Sequence, residues 1–191
     1  MNKLNRQFIG FISTPELWDG SHSLGLTQFQ LPTESFSFTG AISENLMLGK
    51  RMEHFFEFQI NSLPSTEIIC QNIQIYRNKI TLGELDFIIQ TASETIHIEL
   101  VYKFYLYIPS ENMIEIEKWI GPNKKDSFIE KLTKLQEKQL PLLFKEETNP
   151  LLEYYRIKQE TIKQRVCFKA QLFLPLHEMD SIPPEVNPKC I

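Results

Sequence analysis

The sequence predicts an α/β domain in which a mixed sheet is flanked by helices. Three observations carry this. Residues 43–60 repeat their apolar positions at helical spacing, residues 67–108 change to a period of two, and a capped helix followed by another alternating segment comes after residue 126. With 191 residues and 42% apolar content, one domain can bury a sizeable core. The expected division is an irregular N-terminal arm over 1–41 packed on the core, a core over 42–176, and a tail over 177–191.

The arm is rich in Phe, Ser, Thr and turn residues, which suits short helical pieces. SENLMLGKRMEHFFEFQI (43–60) reads as a helix with Ser43 as its N-cap. Leu46, Gly49, Phe56 and Ile60 lie on one face, and Glu53 fills the missing position of that stripe. A carboxylate there is costly unless it pairs or binds a cation. Lys50 is a candidate partner, and the rim of the face is the plainer reading.

EIICQNIQIYRNKI, TLGELDFIIQ and TIHIELVYKFYLYI read as three strands of an antiparallel meander. In the third, Ile96, Ile98, Leu100, Tyr102, Phe104 and Leu106 share one face; His97, Glu99, Val101, Lys103, Tyr105 and Tyr107 share the other. Simple alternation makes Asp86 and Glu99 solvent-facing acids and His97 a surface histidine. Glu84 shares a face with Asp86 and reads as exposed. Tyr105 and Tyr107 are candidates for base stacking, although strand aromatics usually pack. Trp119 reads as a packing anchor.

Ser127 and Glu130 form a capping box, so a helix starts there and Pro141 ends it. Lys131, Lys134 and Lys138 make a basic stripe on its exposed side. Residues 151–165 fit helix or strand equally, and VCFKAQLFLPL (166–176) alternates as a strand. The Pro-rich tail SIPPEVNPKCI suggests an unpacked terminus or a chain cut short.

Composition excludes several functions. The net charge of −4 argues against bulk attraction to nucleic acid, and no Gly-rich phosphate loop occurs. Three scattered Cys and four scattered His give neither CxxC nor HExxH spacing, which suits a reducing cytoplasm without a zinc site. No apolar run is long enough for a membrane span and no cleavable leader is apparent. The charge is uneven: 7 Lys/Arg against 14 Asp/Glu over 1–117, then 12 against 7 over 118–169. That pattern suits a carboxylate site beside an anion-binding surface, or simply solvated Lys-rich helices.

Same-face residues of adjacent antiparallel strands lie about 5 Å apart, so Asp86 and Glu99 can share a cation. Two hard oxygen ligands plus waters suit Mg²⁺ or Mn²⁺, and a nearby Lys would stabilise charge on a phosphate.

LGKRME (48–53), GELD (83–86) and IELVYK (98–103) resemble the active-site core of the PD-(D/E)XK nuclease superfamily. The longer strings GKRMEHFFEFQI, TLGELDF, ELVYKFYLY, WIGPNKKDS and KLQEKQLPLL are similar to the bacterial domain-of-unknown-function family 1853, whose members are longer than this chain. The resemblance implies a restriction-endonuclease-like core in the order α-β-β-β-α-β. It also implies Asp86 and Glu99 as metal ligands, Glu53 as the helix acid, and Lys103 as the motif lysine. The implied activity is Mg²⁺- or Mn²⁺-dependent phosphodiester hydrolysis of DNA or RNA; the alternative is a nuclease-like fold that only binds nucleic acid or protein.

One departure stands out. The superfamily carries Glu-x-Lys, whereas here the spacing is Glu99-Leu-Val-Tyr-Lys103, with Val101 in the usual lysine place. Two residues span about 6.6 Å of strand and four span about 13 Å. A long Lys stem or a bulge would close the gap. Lys124, Lys125 and Lys131 are the other candidates for the missing charge, and for contact with nucleic acid.

Overall fold

The computed structural model describes residues 2–21, 24–33, 37–178 and 186–191. Among these, four α-helices accompany a five-stranded mixed sheet. The helices are α1 (Lys3–Ser13), α2 (Leu48–Ser62), α3 (Phe128–Lys134) and α4 (Asn149–Tyr154). The strands are β1 (Glu67–Arg77), β2 (Ile80–Gln90), β3 (Thr95–Tyr107), β4 (Trp119–Ile120) and β5 (Lys163–Phe173). No helix among the described residues is long and apolar enough to cross a membrane.

The meander forms as the period predicts. Asn78 takes the left-handed conformation (φ 57°) in the tight turn between β1 and β2, which Asn tolerates better than most residues. β2 and β3 pair antiparallel only from Gln90↔Thr95 to Phe87↔Ile98. Beyond that point they part, and β4 takes up the far end of the same edge of β3 at Leu106 and Tyr107. β5 runs parallel along the other edge of β3, from Ile96↔Lys163 to Leu106↔Phe173.

Both faces of β3 are covered. Ile96 and Ile98 join Phe8, Phe11, Phe55, Phe56 and Ile60 of α1 and α2. Val101, Tyr105 and Tyr107 join Trp119, Phe128, Leu132 and Leu135 on the α3 side. This corrects the amphipathic reading. His97 is fully buried rather than a surface histidine, Glu99 is fully buried, and Tyr105 and Tyr107 lie in the core instead of offering stacking platforms. Trp119 is the packing anchor expected. Alternation alone could not reveal that α3 covers the second face, because a polar group on a strand marks either solvent or a buried partner.

Two boundaries also differ, and one open region is settled. α2 begins at Leu48 rather than at a Ser43 cap; Arg51 instead pins the preceding segment through the Glu44 and Leu46 carbonyls (3.1 and 3.2 Å). The Ser127–Glu130 capping box is present. The chain does not stop at Pro141, however. It widens into a π-turn over Leu135–Gln139 and tightens into a 3₁₀ turn over Leu140–Phe144, where Pro141 sits in the first turn and needs no N–H partner. The open region 151–165 resolves as the end of α4, a 3₁₀ turn at Gln159–Thr161 and the start of β5.

The arm holds a full helix, α1, and covers the free edge of β5. Gln28 stands in for a strand there: its Nε2 donates to the Phe168 carbonyl and its Oε1 accepts the Phe168 N–H, both at 3.0 Å. Lys169, 1% exposed, donates to the Ile12 and Thr14 carbonyls at the end of α1 and lies 3.4 Å from Glu16. Of the Pro-rich tail, residues 181–185 lie outside the described residues. Val186 and Cys190 are buried, so that part of the tail is packed, contrary to the reading of an unpacked terminus.

Lys169→Met strips the end of α1 of its cation and leaves Glu16 and two carbonyls short of a donor. We expect a loss of about 3 kcal/mol in urea unfolding; an unchanged midpoint would mean that Lys169 does not anchor the arm.

Candidate active site

Where β2 leaves β3, backbone groups of β3 lose their ladder partners and must find others. Asp86 supplies one: its Oδ2 accepts the Leu100 N–H at 2.9 Å. That bond draws the carboxyl into the cleft beside Glu99, close enough for the Glu99 charge to act on it. The two acids that the meander was expected to juxtapose are therefore together, with Glu99 fully buried and Asp86 half-buried.

Glu99 is enclosed by donors. His97 Nε2 lies 3.0 Å from its Oε1, and Gln139, at the end of the π-turn, donates to its Oε2. Gln139 accepts in turn from Lys131 Nζ at 2.7 Å. Lys131 projects from α3 toward both acids, whose charges it feels. It is half-buried, so the exposed stripe expected of Lys131, Lys134 and Lys138 is broken at its first member.

Burial dominates the electrostatics. It pushes Asp86 up to about 7, reinforced by the neighbouring Glu99 charge. Glu99 is also pushed up to about 7 by burial, against the pull of Lys131 and of hydrogen bonds from Asp86 and Gln139. Lys131 is lowered to about 8 by burial, although both acids oppose this. His97 is lowered to about 4 by burial and is neutral. The acids interact strongly enough to titrate as a pair. Perturbed ionisable groups converging in a cleft are a mark of functional sites, and structural ion-pair networks share it.

The other expected site residues divide. Glu53 is paired with Lys50 at 2.8 Å, as its position in the apolar stripe suggested, and Lys50 also holds Glu84 at 3.1 Å. Glu84 is thus half-buried and engaged instead of exposed. The Glu53 charge reaches Asp86, so this network borders the acid pair. Lys103 turns to Asp126, 2.7 Å away. Val101, two residues after Glu99, is buried in the core. The lysine nearest the acids is therefore Lys131, from the helix. Lys124 and Lys125 are exposed on the turn before α3.

Three contributors were not anticipated: Gln139, Gln164 and His97 as a buried partner. His97 shares a strand face with Glu99 two residues on, and this was the one available signal. Gln139 depends on the π-turn and Gln164 on the parallel register of β5, neither of which residue spacing reveals.

The donor set suits a hard divalent cation. It offers two carboxylates whose protons are held into the neutral range and which a cation would displace. Among the described residues no group of three or more His, Cys, Asp or Glu is arranged to hold a metal ion, so the remaining ligands would be water or main-chain carbonyls.

The chain matches the family described as Domain of unknown function (DUF1853) over residues 15–191. Among curated proteins and among solved structures, nothing matches it significantly.

In the unfolded chain Asp86 and Glu99 lose their protons near pH 4; folded, they keep them to about 7. Their contribution to stability is full below about pH 4 and is lost as pH rises to about 7. His97 works the other way between about 4 and 6.5, but two carboxyls outweigh one imidazole. Asp86→Asn keeps an acceptor for Leu100 and removes one of two acids facing one ammonium. We expect this variant to be more stable than wild type by roughly 1–3 kcal/mol at pH 7.5, with the gap closing toward pH 4. Urea unfolding across that range checks it, and an Asn variant weaker than wild type at pH 7.5 contradicts it.

Proposed function

Because the chain belongs to the DUF1853 family, whose name assigns no activity, its function is read from the site: we propose a metal-dependent phosphodiesterase acting on DNA or RNA. The carrying observation is the buried Asp86–Glu99 pair with Lys131 beside it. Holding one fully buried and two half-buried ionisable groups in a cleft costs stability that packing does not require, as a site built for charged chemistry would. The element order α2-β1-β2-β3-β4-α3-α4-β5, which contains α-β-β-β-α-β with the short β4 and α4 inserted, supports the likeness to a restriction-endonuclease-like core, as does the parting of β2 and β3 at Asp86.

Asp86 and Glu99 would hold Mg²⁺ or Mn²⁺. Such an ion supplies a more acidic bound water and neutralises charge on a phosphate. Lys131 takes the part expected of the motif lysine: its ammonium, positioned through Gln139, faces the acids and would stabilise negative charge developing on the phosphate. Glu53, held by Lys50, adds negative charge at the rim. Lys124 and Lys125, exposed on the turn that carries Asp126, are placed to meet phosphates of the strand without reading its sequence.

A second reading is favoured by Val101 and Lys103. The usual lysine place is filled by a buried valine, and the displaced lysine is engaged by Asp126. On that reading the fold binds nucleic acid or protein without cleaving.

Single- and double-stranded DNA and RNA incubated with Mg²⁺ or Mn²⁺ separate the two. We expect cleavage only with metal, reduced at least about 100-fold by Lys131→Met and by Asp86→Ala. Millimolar Mn²⁺ should raise the melting temperature of wild type but not of Asp86→Ala. Absence of both cleavage and a metal-induced shift in wild type would leave the binding reading.

A further inference from the structure

Glu99 is fully buried, so protein donors must satisfy its oxygens. One is His97, but a histidine donates from Nε2 only if that nitrogen carries the proton. The distance of 3.0 Å between His97 Nε2 and Glu99 Oε1 does not decide this alone. Leu140 does. Gln164 Nε2 lies 2.7 Å from the Leu140 carbonyl oxygen and 3.0 Å from His97 Nδ1. A carbonyl only accepts, so the atom facing it is the amide NH₂. The second N–H of that amide then points at Nδ1, which must present its lone pair. The ring proton is therefore on Nε2, directed at Glu99. The opposite tautomer would set two N–H groups against each other at Gln164.

We propose that Gln164, aligned by the Leu140 carbonyl, fixes His97 in its Nε2–H tautomer, and that His97 so fixed is a positioning residue that orients Glu99 for a divalent cation. The second half rests on the reading of Asp86 and Glu99 as a cation site. The arrangement depends on the parallel register that sets His97 beside Gln164. It also depends on the turn after the π-turn, which brings the Leu140 carbonyl to the same amide. β5 and the segment after α3 thereby act on the site without touching the cation. Gln139 fixes the other oxygen of Glu99, so the carboxylate is held at both ends. Groups that orient a ligand in this way typically change metal affinity by about 10–100-fold when removed.

The test uses the full chain, labelled with ¹⁵N-histidine and free of metal. Long-range ¹H–¹⁵N correlation spectra, with His97 assigned by its loss in His97→Gln, should show a protonated Nε2 and a bare Nδ1. A protonated Nδ1 in wild type overturns the proposal. Mn²⁺ titration then reads the positioning role. Gln at 97 retains both a donor for Glu99 and an acceptor for Gln164, whereas Leu retains neither. We expect His97→Gln to bind Mn²⁺ within about threefold of wild type and His97→Leu about 10–100-fold more weakly. Equal weakening in the two variants overturns the role. Wild type that binds no Mn²⁺ overturns the cation reading and the positioning role with it, while the spectrum still decides the Gln164–His97–Glu99 chain. That spectrum is read on wild type, and His97→Gln serves only to identify the His97 signals.

Discussion

The parting of β2 from β3 after the Phe87–Ile98 pair is the constraint on which the site depends. A strand buried on both faces cannot leave its N–H groups unpaired. Where the ladder ends, the Asp86 carboxyl must serve the Leu100 amide, and in doing so it is drawn to Glu99. Two acids in one dry place then require a cation, donors and protons. Lys131, Gln139, His97 and Gln164 meet those needs from α3, the π-turn, β3 itself and β5.

Each of those elements is placed by ordinary packing. The capping box starts α3, and Phe128, Leu132 and Leu135 dock it on the β3 face opposite α1 and α2. The π-turn that follows inserts extra backbone and swings Gln139 between Lys131 and Glu99. β5 pairs parallel with β3 because a helical crossover returns the chain to the same end of the sheet. The N-terminal arm closes the outer edge of β5 through Gln28 and Lys169. The arm is remote in sequence from the acids, but it supports the strand that carries Gln164.

The pattern of residues made the scaffold legible. The change of period located the three strands nearly to the residue, and the capping box located α3. Glu53 was recognised as an acid in need of a partner because it interrupts an apolar stripe, and Lys50 provides that partner. Less legible was which side of β3 faces water. His97 and Glu99 look the same on a solvated strand as on one roofed by a helix, and only the docking of α3 distinguishes them. Lys103 illustrates the same limit. Its parity put it on the site face, but a four-residue step carried it past the acids to Asp126. Lys131 reads both as a member of an exposed stripe and as a candidate for the missing charge, and nothing in its spacing says that the helix turns it inward.

The central claim is that the Asp86–Glu99 pair holds protons into the neutral range and exchanges them for a hard cation. Titration calorimetry of Mn²⁺ into the protein at pH 6.5, in two buffers of different ionisation enthalpy, tests it most directly. The account predicts binding that releases about one proton or more per ion, with the release absent in Asp86→Ala. Binding without proton release, or no binding at all, would contradict it.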